Sequence, residues 1–221
     1  MMKTLATVSV LALGLSAAAA EAATVFATQI DVGRAPVAGT GWDATAQTNT
    51  TSRNDAGNAL GAPDQVGNQG KGFFSLGLGQ AAVFGFGTSF GTTATAFEVT
   101  FNCSLQSIGT CSFAEKADVY AFNGSYTPFN GAFGVANLTS LGFTKVGSVL
   151  NGAGSTDAGA SISIGGPFTY LALVDTSPGG SGRDGWDIDA VSVAAVPLPA
   201  AGLLLLGALG GLAVWRRRKT V

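Results

Sequence analysis

The chain has 221 residues, a formal net charge of −2, two cysteines and no histidine. Without histidine, Ser-His-Asp and Cys-His catalysis and the usual His-containing zinc sites are excluded, and carboxylate chemistry and oxygen-ligated cations such as calcium stay open. Between residues 23 and 196, six basic residues stand against twelve acidic ones, a net charge of about −6, and an acidic surface without a basic patch argues against nucleic acid as a partner.

Residues 1–22 read as a secretory signal peptide. Lys3 supplies the positive start, residues 5–15 the apolar core, and the alanine-rich run the cleavage zone. Ala20-Glu21-Ala22 places cleavage before Ala23, with cleavage after Ala20 as the other option. Residues 23–195 then form one exported domain, in which short β-type runs alternate with Gly, Asn, Pro and Asp and no leucine-rich helical periodicity occurs. The first strand is expected at 25–30, followed by a polar, irregular stretch at 33–58 with Trp42 as its large anchor. Residues 73–78 and 81–86 read as a hairpin across Gly79-Gln80. In the run 95–102, Phe97, Val99 and Phe101 point one way and Glu98 and Thr100 the other. Further strands are expected at 117–122, before an Asn123-Gly124 turn, and at 143–149, 160–164, 168–174 and 186–194. Roughly eight to ten strands with no crossover helix predict an all-β fold, a β-sandwich of the jelly-roll kind. Cys103 and Cys111, with seven residues between them in an exported chain, read as one disulfide closing a local loop. Such a loop closure stabilises by about 2–3 kcal/mol on the chain-entropy estimate.

The C-terminus carries a different pattern. Val196, Pro197, Leu198, Pro199 and Ala200 form a short motif, an uncharged apolar run follows at 200–215, and Arg216, Arg217, Arg218 and Lys219 close it. Sixteen helical residues reach roughly 24 Å, somewhat short of a bilayer core of about 30 Å. Starting the span at Val196 and letting the arginines snorkel makes up the difference. Trp215 falls where an interfacial aromatic belongs, and the basic residues act as a cytoplasmic stop. Motif, apolar helix and basic end resemble the VPLPA variant of the PEP-CTERM sorting signal. The resemblance implies an exosortase-type enzyme that cuts near the motif, so that the chain is an inner-membrane precursor first and a cell-surface protein afterwards. An ordinary single-pass anchor is the other reading of the same residues.

Several blocks of the exported domain resemble galactose-binding, discoidin-like jelly rolls: Ala59-Leu60-Gly61-Ala62-Pro63-Asp64, Phe74-Ser75-Leu76-Gly77-Leu78-Gly79, Glu115-Lys116-Ala117-Asp118-Val119-Tyr120, Tyr170-Leu171-Ala172-Leu173-Val174-Asp175 and Gly185-Trp186-Asp187-Ile188-Asp189-Ala190-Val191. The chain departs from that pattern at Ala121-Phe122-Asn123-Gly124, where such domains carry a Ser-x-Asp-Gly turn, and at the Cys103–Cys111 insertion. On a strand, Asp187, Asp189, Val191 and Val193 share one face, and two carboxylates there need a cation, an arginine or backbone donors. The resemblance implies a structural calcium at Asp187 and Asp189, with Asp64 and the Asn54-Asp55 loop supplying the rest. Amide bonds or pairing with Arg183 is the alternative. Arg183 and Trp186 suit a sugar platform, or Trp186 is a core anchor beside a turn. The sequence therefore points to a non-enzymatic exported surface protein with a structural or adhesive role in the envelope or exopolysaccharide matrix. A carbohydrate-binding module is the alternative. A glycan-active hydrolase, which needs paired carboxylates about 5–10 Å apart in a cleft, is the third reading.

Overall fold

The computed structural model describes residues 22–33, 55–64, 72–99, 115–129, 133–150, 159–178 and 185–196. They belong to one compact unit, Ala22–Val196. The signal segment, Trp42, Asn54, Cys103, Cys111, Arg183, the motif residues after Val196, the apolar run 200–215 and the basic end lie outside the described residues. Among the described residues no helix is long and apolar enough to cross a membrane.

Nine strands, one short α-helix and a 3₁₀ turn at Ala56–Ala59 make up the described part: β1 (Thr24–Phe26), β2 (Gln29–Asp31), β3 (Phe74–Ser75), β4 (Ala81–Glu98), β5 (Lys116–Phe122), α1 (Val135–Ser140), β6 (Thr144–Leu150), β7 (Ala160–Ser163), β8 (Phe168–Asp175) and β9 (Asp187–Ala195). All strand pairs are antiparallel, in the order β1-β9-β4-β8-β5-β6, with β2 and β7 also on β4 and β3 on β9. The 18-residue β4 organises the sandwich. Its first half pairs with β2 and β8, and its second half pairs with β9 and β7. One strand thus contributes to both layers.

The side chains follow from this arrangement. Ala82, Phe84, Leu171, Leu173, Ala117 and Val119 face the main core, where they meet Phe90, Ala94, Ile188, Val191 and Val193 of the other layer. The alternate residues Ala81, Val83, Ala172 and Val174 face outward from the first layer, yet they are buried too. Phe133, Leu138 and Phe143, on and around α1, cover them in a second apolar cluster. Burial on both faces explains why 81–86 reads as a continuous apolar run instead of an alternating one.

Several expectations are corrected. The expected strand at 25–30 is two strands, because the Ala27 amide donates to Val191 (2.9 Å) and the Thr28 amide to Gly85 (2.9 Å), so the chain changes partners in mid-run. The expected hairpin of 73–78 with 81–86 does not form. Gln80 does turn back onto Gly77 (2.9 Å), but β3 pairs with β9. Glu98, expected on the face opposite Phe97 and Val99, is buried. The six-residue α1 escaped the periodicity argument because it is shorter than two turns.

Candidate functional site

The buried carboxylates come first, since they were the expected site. Phe97 pairs with Ala190 and Glu98 with Ile188, so Asp189 is an extra residue, a one-residue bulge in β9. The bulge inverts the alternation. Ile188, Val191 and Val193 share the main core, and Asp187 therefore does not share the face of Val191 and Val193 as expected. Asp187 and Asp189 are 4% and 1% exposed. The Ser75 hydroxyl donates to Asp187 Oδ1, and the Asp64 backbone amide approaches Asp189 Oδ1 at 3.4 Å. Asp64 thus meets Asp189 through its amide. Asp55 caps the turn Ala56–Ala59 by accepting from the Gly57 amide at 2.9 Å. Among the described residues no group of three or more acidic side chains that could hold a metal ion occurs, and Asn54 and Arg183, which the two readings of this pair invoke, lie outside the described residues.

Two further buried aspartates fasten loops to strand ends. Asp175 Oδ1 accepts from the Ser177 hydroxyl (2.5 Å) and the Trp186 amide (3.1 Å), and Oδ2 from the Gly79 amide (3.1 Å). Asp31 Oδ1 accepts from the Gly33 amide (2.8 Å), and Oδ2 from the Phe129 amide (2.7 Å) and the Tyr126 hydroxyl (2.5 Å). Burial, then the hydrogen bond and charge of Asp31, hold the Tyr126 phenol well above its ordinary range. Trp186 is 0% exposed within the main core, and its indole N–H meets no acceptor. A ring sealed in the core offers no face to a sugar, so of the two readings of Trp186 the structure has the core anchor beside a turn.

The surface offers a different site. Gly85 of β4 pairs with Tyr170 of β8, and Phe90 pairs with Phe168, so four residues of β4 stand opposite the single Thr169. Gly87, at φ 67°, lets the chain swing out there, and Gly87, Thr88 and Ser89 are exposed. The result is an open notch of about 360 Å³ lined by Gln29, Gly87, Thr88, Ser89, Thr169 and Tyr170. Its floor is fixed. The Thr169 hydroxyl accepts from the Gly124 amide (3.2 Å), and the Tyr170 ring lies 5.5 Å from Tyr126 and 6.3 Å from Phe122 between centroids. Among the described residues the lining supplies a carboxamide, hydroxyls and one aromatic ring, with no charge. A second depression of about 400 Å³ lies between β6 and β7, but no aromatic residue is among the described residues that line it. Sequence reading missed the notch. The Gly87-Thr88-Ser89 interruption between Phe86 and Phe90 was its one local signal.

No protein-family model matches the chain, and no curated protein matches it. Among solved structures, CBM32 of AlyQ in complex with 4,5-unsaturated mannuronic acid is similar at 16% identity and a TM-score of 0.35, covering 53% of this chain and 72% of that one. Truncated AlyQ with CBM32 and alginate lyase domains is similar at 15% identity and a TM-score of 0.40, covering 80% of this chain. The chain spans 35% of that structure's length. No residue role is transferred from either.

Proposed function

We propose that the protein is a non-catalytic carbohydrate-binding module that is exported and displayed at the cell surface. The observation that carries the binding reading is the notch at the β4 bulge. Sugar hydroxyls pair well with fixed amide and hydroxyl groups, and the C–H face of a pyranose packs on an aromatic ring. Gln29, Thr88 and Ser89 offer the first kind of contact and Tyr170 the second. The non-catalytic reading is supported by Asp187 and Asp189, the pair a hydrolase would need. Both are buried and take donors from Ser75 and Asp64.

Display rests on the two ends of the sequence. A signal peptide at 1–22 starts export, and residues 200–215 with Arg216 to Lys219 hold the precursor in the inner membrane. An exosortase-type enzyme then acts at Val196-Pro197-Leu198-Pro199-Ala200, which leaves the domain at the surface in contact with exopolysaccharide. The binding reading is tested by applying the labelled full-length chain to a glycan array and to the host's own exopolysaccharide, with calcium and with a chelator. Saturable binding is expected in both buffers. Absence of binding by a sample shown to be folded would overturn the reading and leave a structural or protein-adhesive role.

A further inference from the structure

We infer that the notch selects uncharged glycans and rejects uronate-bearing ones, a specificity that rests on the glycan-binding reading above. Recognition of a carboxylate calls for an arginine fork, a lysine or a cluster of free backbone amides, and the charged donors are the stronger partners. Among the described residues that line it, Gln29, Gly87, Thr88, Ser89, Thr169 and Tyr170, none carries a charge.

The surroundings oppose an anion as well. Behind the Tyr170 ring stands Tyr126, 5.5 Å away, whose hydroxyl donates to the buried Asp31 carboxylate. The basic side chains of the described residues are Lys116 and Lys145. Lys116 sits at the far end of β5 from Phe122, the residue paired with Tyr170, roughly 20 Å away along the strand. Lys145 is spent on Asp118, at 2.6 Å. The net charge of about −6 over residues 23–196 adds long-range repulsion, which slows the approach of an acidic polysaccharide. A neutral hexose meets none of these costs. It also leaves no polar group of the notch facing an unmatched charge.

The test compares oligomannose with oligomannuronate of the same β-1,4 linkage and length, which differ in the group at C6. Binding of each to the full-length chain is measured by titration at low salt. Oligomannose is expected to bind saturably, with oligomannuronate at least about tenfold weaker, a difference of about 1.4 kcal/mol. Gln29→Ala and Tyr170→Ala should each weaken oligomannose binding, about tenfold for the tyrosine. Tyr170 packs against Phe122 and Tyr126, so that variant also needs a circular dichroism spectrum matching wild type. Gln29 and Thr88 are exposed and test the site independently of folding. Thr88→Lys should raise oligomannuronate binding and narrow the gap. Equal or tighter oligomannuronate binding by wild type would overturn the specificity but leave glycan binding standing. Oligomannose binding that neither Gln29→Ala nor Tyr170→Ala changes would move the site elsewhere and overturn the inference alone. Failure of the folded protein to bind either sugar or any arrayed glycan would overturn both.

Discussion

Replacing Tyr126 by Phe removes one hydroxyl from a carboxylate that is 0% exposed, and little else. Asp31 Oδ2 then keeps only the Phe129 amide of its two donors, while Oδ1 keeps Gly33. A hydrogen bond to a charged acceptor contributes about 1.5–3 kcal/mol, and the ring and its packing remain in the variant. The expected loss is therefore about 2 kcal/mol. With a urea m-value of about 2 kcal/mol/M for a domain of this size, the midpoint should fall by about 1 M with m unchanged. The pH dependence gives a second arm. Burial and Asp31 raise the phenol above its model-compound value of 10.0. The unfolded chain then releases this proton first, so the contribution is complete below about pH 10 and is lost as the pH rises toward the folded value. Wild type should lose stability over that alkaline range, and Tyr126→Phe should lose less. A midpoint shift below about 0.2 M at neutral pH would refute the reasoning, because the bond would then contribute almost nothing.

Three further perturbations follow from the same geometry. Gly185→Ala should cost at least about 3 kcal/mol or prevent folding, because φ is +130° and a Cβ there would lie 2.0 Å from the Leu76 carbonyl oxygen. Soluble yield and thermal denaturation measure it. Asp175→Ala leaves the buried Trp186 amide without its acceptor, also removes the acceptor of the Gly79 amide and one partner of the Ser177 hydroxyl, and should cost about 2–3 kcal/mol. Faster hydrogen exchange at Gly79 and Trp186 would mark the loss. Lys145→Met should cost no more than about 0.5 kcal/mol, since the Lys145–Asp118 pair is exposed on the lysine side. Burial pushes the Asp118 carboxyl up, but hydrogen bonds from Lys145 and Ser148 and the charges of Lys145 and Lys116 outweigh it, and its pKa ends below the ordinary value. A depressed carboxylate stabilises above its unfolded pKa and loses that contribution as pH falls through the folded one. Denaturation across the acid range should therefore show a shallower limb for Lys145→Met than for wild type.

The strands from β5 onward were legible because each is a short run bounded by Gly, Asn, Pro or Ser, and the structure places β5, β6, β7, β8 and β9 within a residue or two of the expected runs. The length of β4 was not legible. Gly87 and Gly91 fall between the expected runs 81–86 and 95–102, yet partners on both sides carry the ladder past them. The hairpin failed for a related reason: Phe74 finds Ile188, over a hundred residues away, and no local spacing encodes that choice. The expected acidic face failed at a single extra residue, Asp189, because one bulge reverses every later side chain. Of the candidate site residues, Trp186, Asp187 and Asp189 are buried, and Asp64 is exposed with its backbone amide toward Asp189. The notch stayed hidden because it joins Gln29, Gly87 to Ser89, Thr169 and Tyr170 from three separate strands.

The sequence by itself determined the absence of histidine chemistry, the acidic balance of residues 23–196, the patterns at the two ends and the β character of the stretch between them. These are properties of composition and of short-range periodicity, which any segment carries alone. Tertiary structure decided which strand pairs with which, where the chain changes layers at Ala27 and Thr28, which carboxylates are sealed inside and where a polar, ring-floored notch opens. Those outcomes depend on hydrogen-bond ladders between distant residues. A register is fixed only when both strands and the core beneath them are in place.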